Sequence, residues 1–194
     1  MAVDRAGQVY LVYRGDIWIY DGETGQPLGK LEDEPELWFD VISETPDGGM
    51  VAAANTEQIV RFDQNGKLVF SLAEVLGTQS GVSESVADLA VDGVGNLYVL
   101  SQDDFVLVYS PEGRLLSRFG SSGDEPGQLS VPSAIAVDGL GRIYISDFKG
   151  IQVFSQDGRY LDKIEVEGFA HGMAIDYQGN LWVVSNLPKV FRYE

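Results

Sequence analysis

Residues 133–164 read SAIAVDGLGRIYISDFKGIQVFSQDGRYLDKI, and this stretch decides the fold. It breaks into four runs, SAIAV, RIYIS, IQVFS and RYLDKI, rich in Val, Ile, Phe and Tyr that alternate with a period of two. That period puts successive side chains on opposite faces of an extended chain, so the runs predict strands rather than helices. Between the first two runs, Asp138 can accept the backbone N–H groups just ahead of it, and Gly141 supplies the positive φ that closes the reversal. SQDG turns the third run into the fourth by the same logic. Four strands joined this way make one twisted antiparallel sheet, too small to stand alone.

The unit recurs. AVDRAGQVY, ISETPDGGMV, AVDGVGNLY, AVDGLGRIY and AIDYQGNLW set reference glycines at Gly7, Gly48, Gly95, Gly141 and Gly179. The aromatics Tyr20, Phe62, Tyr109, Phe154 and Tyr193 follow at 13 or 14 residues, and a second glycine follows the first four, at Gly25, Gly66, Gly113 and Gly158. Units of this length and make-up predict an all-β chain, a β-propeller of four-stranded antiparallel blades. The blades fall at approximately 1–33, 38–73, 87–120, 133–165 and 170–194, the last with only three runs, HGMAI, NLWVV and KVFRY. A sandwich would not need the same unit five times, and a parallel β-helix would use shorter coils. An open ring would leave an apolar face at each end, worth on the order of 12 kcal/mol of lost burial. Closure as a small ring, a longer parent with a sixth blade, or self-association with another copy would each remove that cost.

The 194 residues suffice for one well-buried domain. No run approaches the length of a membrane span, and the N-terminus lacks the basic-then-apolar build of a signal peptide. Thirty acidic against 13 basic residues give a net charge of -17. Lys and Arg are scattered singly, which argues against nucleic acid and against anionic membrane surfaces. The acidity suits a basic partner, a divalent cation such as calcium, or solubility alone. The absence of cysteine excludes disulfides, thiolate metal sites and cysteine nucleophiles. His171 is the one histidine, which excludes multi-histidine zinc sites. P-loop, Rossmann and DxDxDG calcium motifs are missing, and no residue pattern calls for an organic cofactor.

Phe119 through Phe154, FGSSGDEPGQLSVPSAIAVDGLGRIYISDFKGIQVF, resembles the NHL-repeat β-propellers. It carries the Gly, Gly-Gln, Pro, Ala-Val-Asp, Gly, Ile-Tyr and Asp elements of that family in order. The third and fifth repeats match well over three runs, and the first and second loosely, with Thr45 in the place of the usual Asp. The resemblance implies a typical ring of six blades whose strands run from innermost to outermost in sequence order. It implies little about chemistry, because such folds host binding modules and enzymes alike.

With that strand order, the loops between the second and third runs share one face with the connections between repeats. This loop face gathers the acidic and aromatic candidates for binding: Trp38, Phe39, Asn55, Asp103, Asp104, Phe105, Asp124, Glu125, Asp147, Phe148, His171 and Asn186. They predict a rigid module that presents an acidic, aromatic-containing surface to a protein or peptide, itself basic. A lactonase-like, divalent-metal hydrolase drawing on Asp16, Glu57, Asp103, Asp104, Asp147 and Asn186, with Asn55, is the enzymatic alternative, and a structural spacer or assembly domain is the third. On the opposite face, Asp4, Gly7, Gly48, Asp92, Gly95, Asp138, Gly141, Asp176 and Gly179 predict structural turns. Acidity and the resemblance together lean toward an extracellular or periplasmic place in a bacterium.

Overall fold

The computed structural model describes residues 1–4, 6–31, 37–55, 58–72, 85–176, 178–187 and 190–193. The chain divides into two compact units, Met1–Ser85 and Val86–Glu194. Every regular element among the described residues is a strand.

The first unit holds two four-stranded sheets. One consists of β1 (Ala2–Val3), β2 (Gln8–Tyr13), β3 (Asp16–Asp21) and β4 (Pro27–Lys30). The other consists of β5 (Phe39–Glu44), β6 (Met50–Ala54), β7 (Gln58–Phe62) and β8 (Leu68–Leu72). In each, spatial order follows sequence order and every pairing is antiparallel. β5 lies against β1 and β2, and the two sheets bury Tyr10, Ile17, Phe39, Ile42, Met50, Val60 and Phe62 between them.

The second unit repeats the plan. Its first sheet is β9 (Val86–Val91), β10 (Leu97–Ser101), β11 (Val106–Tyr109) and β12 (Leu115–Phe119). The next is β13 (Ala134–Val137), β14 (Ile143–Asp147), β15 (Gly150–Phe154) and β16 (Tyr160–Ile164). The last described sheet has three strands, β17 (Ala170–Ile175), β18 (Leu181–Ser185) and β19 (Val190–Tyr193). The leading strand β13 lies between β9 and β17, so the sheets stack face to face along their first strands. One core joins Tyr98, Leu100, Val106, Ile135, Ile143, Ile145 and Phe154, and another joins Tyr144, Ile151, Val153, Leu181 and Val183.

The stacking shows in burial. Tyr98 is 1 % exposed where the next sheet covers it, whereas Trp182, at the equivalent place in the last sheet, is 39 % exposed. Val184 and Val190 share that open face.

The turns repeat atom for atom. Oδ1 of Asp4, Asp92, Asp138 and Asp176 accepts the N–H two residues on and the N–H four residues on, all at 2.8–3.0 Å. Oδ2 accepts from the aromatic six residues on: Tyr10, Tyr98 and Tyr144 hydroxyls at 3.1–3.3 Å, and the Trp182 indole N–H at 2.9 Å. The reference glycine of the same turn, Gly141 for instance, has φ +78, which a side chain adopts only with strain. Burial, then the neighbouring Asp92 carboxylate, push the Tyr98 hydroxyl up to about 12. Burial alone would raise the Asp138 carboxyl, but hydrogen bonds from Arg142 and Leu140 outweigh it and hold it below its ordinary value. Hydrogen bonds from Asn180 and Trp182 bring Asp176 down to about 2.

In the second repeat Thr45 stands where the acid would be. Its hydroxyl donates to Asp47 Oδ1 at 2.6 Å, and Arg61 donates to Asp47 Oδ2 at 2.6 Å, so the carboxylate has moved two residues along the turn.

These bonds set the cost of losing one. Asp138→Ala is expected to lower the unfolding free energy by about 2–4 kcal/mol, since two backbone donors and the Tyr144 hydroxyl lose their acceptor. Tyr144→Phe, which removes only the hydroxyl, is expected to cost about 1 kcal/mol. Urea unfolding of both variants measures the two effects, and equal losses would show that the carboxylate has no special part in the turn.

Candidate functional site

On the loop face of the second unit the connection from β12 to β13, residues 120–133, is held from several directions. Ser121 O accepts from Leu129 N and Leu129 O from Gly123 N, which folds the segment around the fully buried Leu129. Lys149 Nζ donates to the carbonyls of Gly123 and Gln128, both at 2.8 Å. Gln152 Oε1 accepts Gly127 N–H at 3.0 Å, while its Nε2 donates to Gln128 O at 2.7 Å and to Asp147 Oδ2 at 2.8 Å. Asp104 accepts from the Ser122 hydroxyl and, at 3.1 Å, from Val131 N–H. Asp124 and Glu125 are left exposed on the outside of this stapled segment.

Several predicted loop-face residues serve as clamps. Asn55 Oδ1 accepts Trp38 N–H at 3.0 Å, Asn186 Oδ1 accepts Phe169 N–H at 2.9 Å, and Asp147 Oδ2 accepts Ser130 N–H at 3.2 Å. Each pair is separated by 17 residues, so one device in three repeats ties a loop to the segment entering the leading strand. Asp147 is buried, and its Oδ1 also accepts Lys149 N–H.

The aromatics divide sharply. Phe39 and Phe105 are buried, Phe39 edge-on to Phe62 and Phe105 beneath the Arg118 guanidinium at 4.0 Å. Trp38 is exposed but lies on the turn of the neighbouring sheet: a Cβ at Gly15 would come within 2.5 Å of its Cδ2. Phe148, at 75 % exposure, projects into solvent. His171 is exposed on β17 and packs edge-on to Phe169, ring centroids 4.9 Å apart. Asp103 is exposed beside Gln102.

Between these parts lies an open cavity of about 390 Å³ lined by Ala87, Gln102, Asp104, Val131, Pro132, Ser133 and Phe169. Val131 enters it with φ +53, a left-handed conformation that a β-branched residue adopts only under strain, and its side chain stands out in solvent. Of the candidate binding residues the cavity uses Asp104 alone; Phe169, an aromatic that the sequence places beside the loops of this face, joins it. Ala87, Gln102, Val131, Pro132 and Ser133 complete it, and no sequence motif marks them individually. Gln152 did carry a signal, a lone amide in the otherwise apolar run IQVF.

Among the described residues no three His, Asp or Glu side chains come together to hold a metal ion. Glu57 of the metal set, residues 74–84 of one predicted loop and Lys189 of another lie outside the described residues.

The sequence also gave no hint of Asp88, on the leading strand β9. Its Oδ2 accepts the N–H of Ile135, on the leading strand of the next sheet, at 2.9 Å. One sheet on, a different bond joins neighbouring sheets: Ser146 of β14 donates to Ala170 O on β17 at 3.0 Å. Burial pushes the Asp88 carboxyl up to about 6, against the opposing hydrogen bonds from Ile135 and Leu89.

Four-stranded antiparallel sheets, run in sequence order from a leading strand and stacked along those strands, define the β-propeller class. The solved structures agree on that fold. A Bacteroides caccae protein of unknown function, 16 % identical, aligns over 96 % of this chain and 72 % of its own with a TM-score of 0.66. A chain of the mitotic checkpoint complex, 10 % identical, aligns over 99 % and 58 % with a TM-score of 0.72. Streptogramin B lyase, 13 % identical, aligns over 100 % and 67 % with a TM-score of 0.70.

Among curated proteins, the chain is similar to NHL repeat-containing protein 3 of Mus musculus, 25 % identical over 190 residues, and of Homo sapiens, 27 % identical over 170 residues. The alignments take in 81 % and 72 % of this chain and 51 % and 49 % of those proteins, so the chain spans about half their length. No protein-family profile matches it. The fold and these relatives together bear out the NHL-repeat resemblance carried by residues 119–154.

Asp88 gives this face a pH signature. Folded Asp88 keeps its proton up to about pH 6, whereas an unfolded Asp releases it near 3.9, so between those values the folded chain binds more protons. Its contribution to stability is therefore full below about pH 4 and declines as the pH rises through 6. Asp88→Asn keeps an acceptor for Ile135 N–H and removes the titration. The variant is expected to gain stability relative to the parent between pH 4.5 and 7 in urea unfolding. A difference independent of pH would contradict this account.

Proposed function

We propose that the second unit is a protein-interaction module whose loop face receives a basic segment of a partner protein or peptide. The observation that carries this reading is an open cavity with exposed carboxylates on the segments that build it: Asp103 lies beside the lining residue Gln102, and Asp124 and Glu125 stand in solvent on the stapled connection that supplies Val131, Pro132 and Ser133. Binding then pays little for ordering the loops, and most contact free energy is retained. The exposed carboxylates and the net charge of -17 draw a cationic segment in and orient it. Exposed Phe148 and the protruding Val131 offer apolar contact at the same surface. The similarity to NHL repeat-containing proteins and the propeller fold support the module; the basic partner rests on the charge distribution of this chain.

Panning a random peptide display on the intact chain tests it. Selected peptides are expected to be rich in Lys and Arg. The triple variant Asp103→Lys, Asp124→Lys and Glu125→Lys should bind them at least tenfold more weakly while unfolding at the same urea concentration. Selection of neutral or acidic peptides, or unchanged affinity in the variant, would overturn the proposal.

A further inference from the structure

Resting on that reading, the lining of the 390 Å³ cavity names the side chain it takes: we infer that it receives a single arginine of the bound segment. The volume lies near the lower end of the range for small-ligand pockets, about 300–1,000 Å³, which suits one long side chain with its flanking backbone. Among the described residues that line it none is basic, and one, Asp104, is a carboxylate. That carboxylate is oriented before any ligand arrives, by the Ser122 hydroxyl and by Val131 N–H.

The rest of the wall is divided between two chemistries. Ala87, Val131 and Pro132 give an aliphatic flank for a methylene stem. Gln102 and Ser133 add neutral acceptors, and Phe169 adds one aromatic ring. Phe169 is itself fixed, its N–H held by Asn186 and its ring packed against His171.

A planar guanidinium uses all of this at once: it stacks on Phe169, pairs with Asp104 and spreads its remaining donors over Gln102 and Ser133. A lysine ammonium is a compact, strongly hydrated charge that meets one of these groups at a time. Quaternary ammonium ligands call for several aromatic walls, and among the described residues here there is one. The strained Val131 fits the same picture. Its left-handed backbone is what aims its N–H at Asp104 and leaves its side chain standing at the mouth.

Titration of the intact, isotope-labelled chain with the capped tripeptides Gly-Arg-Gly, Gly-Lys-Gly and Gly-citrulline-Gly, followed by amide NMR shifts, is the test. The arginine peptide is expected to shift residues 102–104, 131–133 and 169 in a saturable way, at least fivefold more tightly than lysine and tenfold more tightly than citrulline. Asp104→Asn keeps an oxygen for Val131 N–H and should weaken arginine binding at least tenfold. Phe169→Leu should bring arginine and lysine close to parity. Non-saturable shifts spread over Asp124 and Glu125, or equal affinity for arginine and lysine, would overturn the cavity assignment. That result leaves the acidic face standing if the panned peptides still depend on it, whereas their independence of Asp103, Asp124 and Glu125 removes the face as well.

Discussion

The structure depends on a carboxylate that satisfies two backbone donors inside a tight reversal while holding an aromatic head group from the following strand. Asp4, Asp92, Asp138 and Asp176 each do this with the same offsets, and Thr45, Asp47 and Arg61 share the task in the remaining repeat. The bond to Tyr10, Tyr98, Tyr144 or Trp182 does more than close a turn. It fixes where the large ring of the second strand lies, and the rings of Tyr10, Tyr98 and Tyr144 form part of the cores between sheets. Local chain reversal and sheet stacking are thereby one problem solved by one side chain. A sheet of four short strands has little stability of its own, so the coupling is what makes the sheets stacked within each unit cooperative.

At the other end of the strands, polar side chains work in the opposite sense. They do not relieve strain inside a turn but tie separate segments together: Asn55, Asp147 and Asn186 bind the entry to a leading strand, and Lys149 with Gln152 binds the long connection before β13. In each of these ties the polar side chain has a partner that repays its desolvation. The consequence for recognition is a division of labour among residues of similar type. Asp147 is buried in the scaffold, Asp104 braces Val131 and also lines the cavity, and Asp103, Asp124 and Glu125 stand in water.

How far the sequence can be read follows the same line. Alternation and turn chemistry act over fewer than ten residues, so the sheets and their turns were legible in runs such as RIYIS and in the Asp-x-x-Gly spacing. Even the displacement of the acid in the second repeat left Thr45 as its trace. The roles of the loop residues were not legible. An exposed Asp and a clamping Asp have the same side chain, and what separates Asp103 from Asp147 is a bond to a residue 17 positions away. Phe105 and Phe148 stand in equally loop-like surroundings, yet one lies under Arg118 and the other in solvent, a distinction set by neighbouring strands. The cavity draws on residues from four separate stretches, and Asp88 meets Ile135 across 47 positions, separations at which local patterning carries no information.

The replacement of tyrosine by Trp182 in the last of the Asp turns leaves the second unit with a single indole, since Trp18 and Trp38 both belong to the first. Its N–H is bound to Asp176 and its ring sits half in water on the last described sheet. With Trp18 and Trp38 replaced by Phe, fluorescence would come from this indole alone and report the loosening of its own sheet. Local opening of that kind can precede global unfolding, and the indole would tell the two apart.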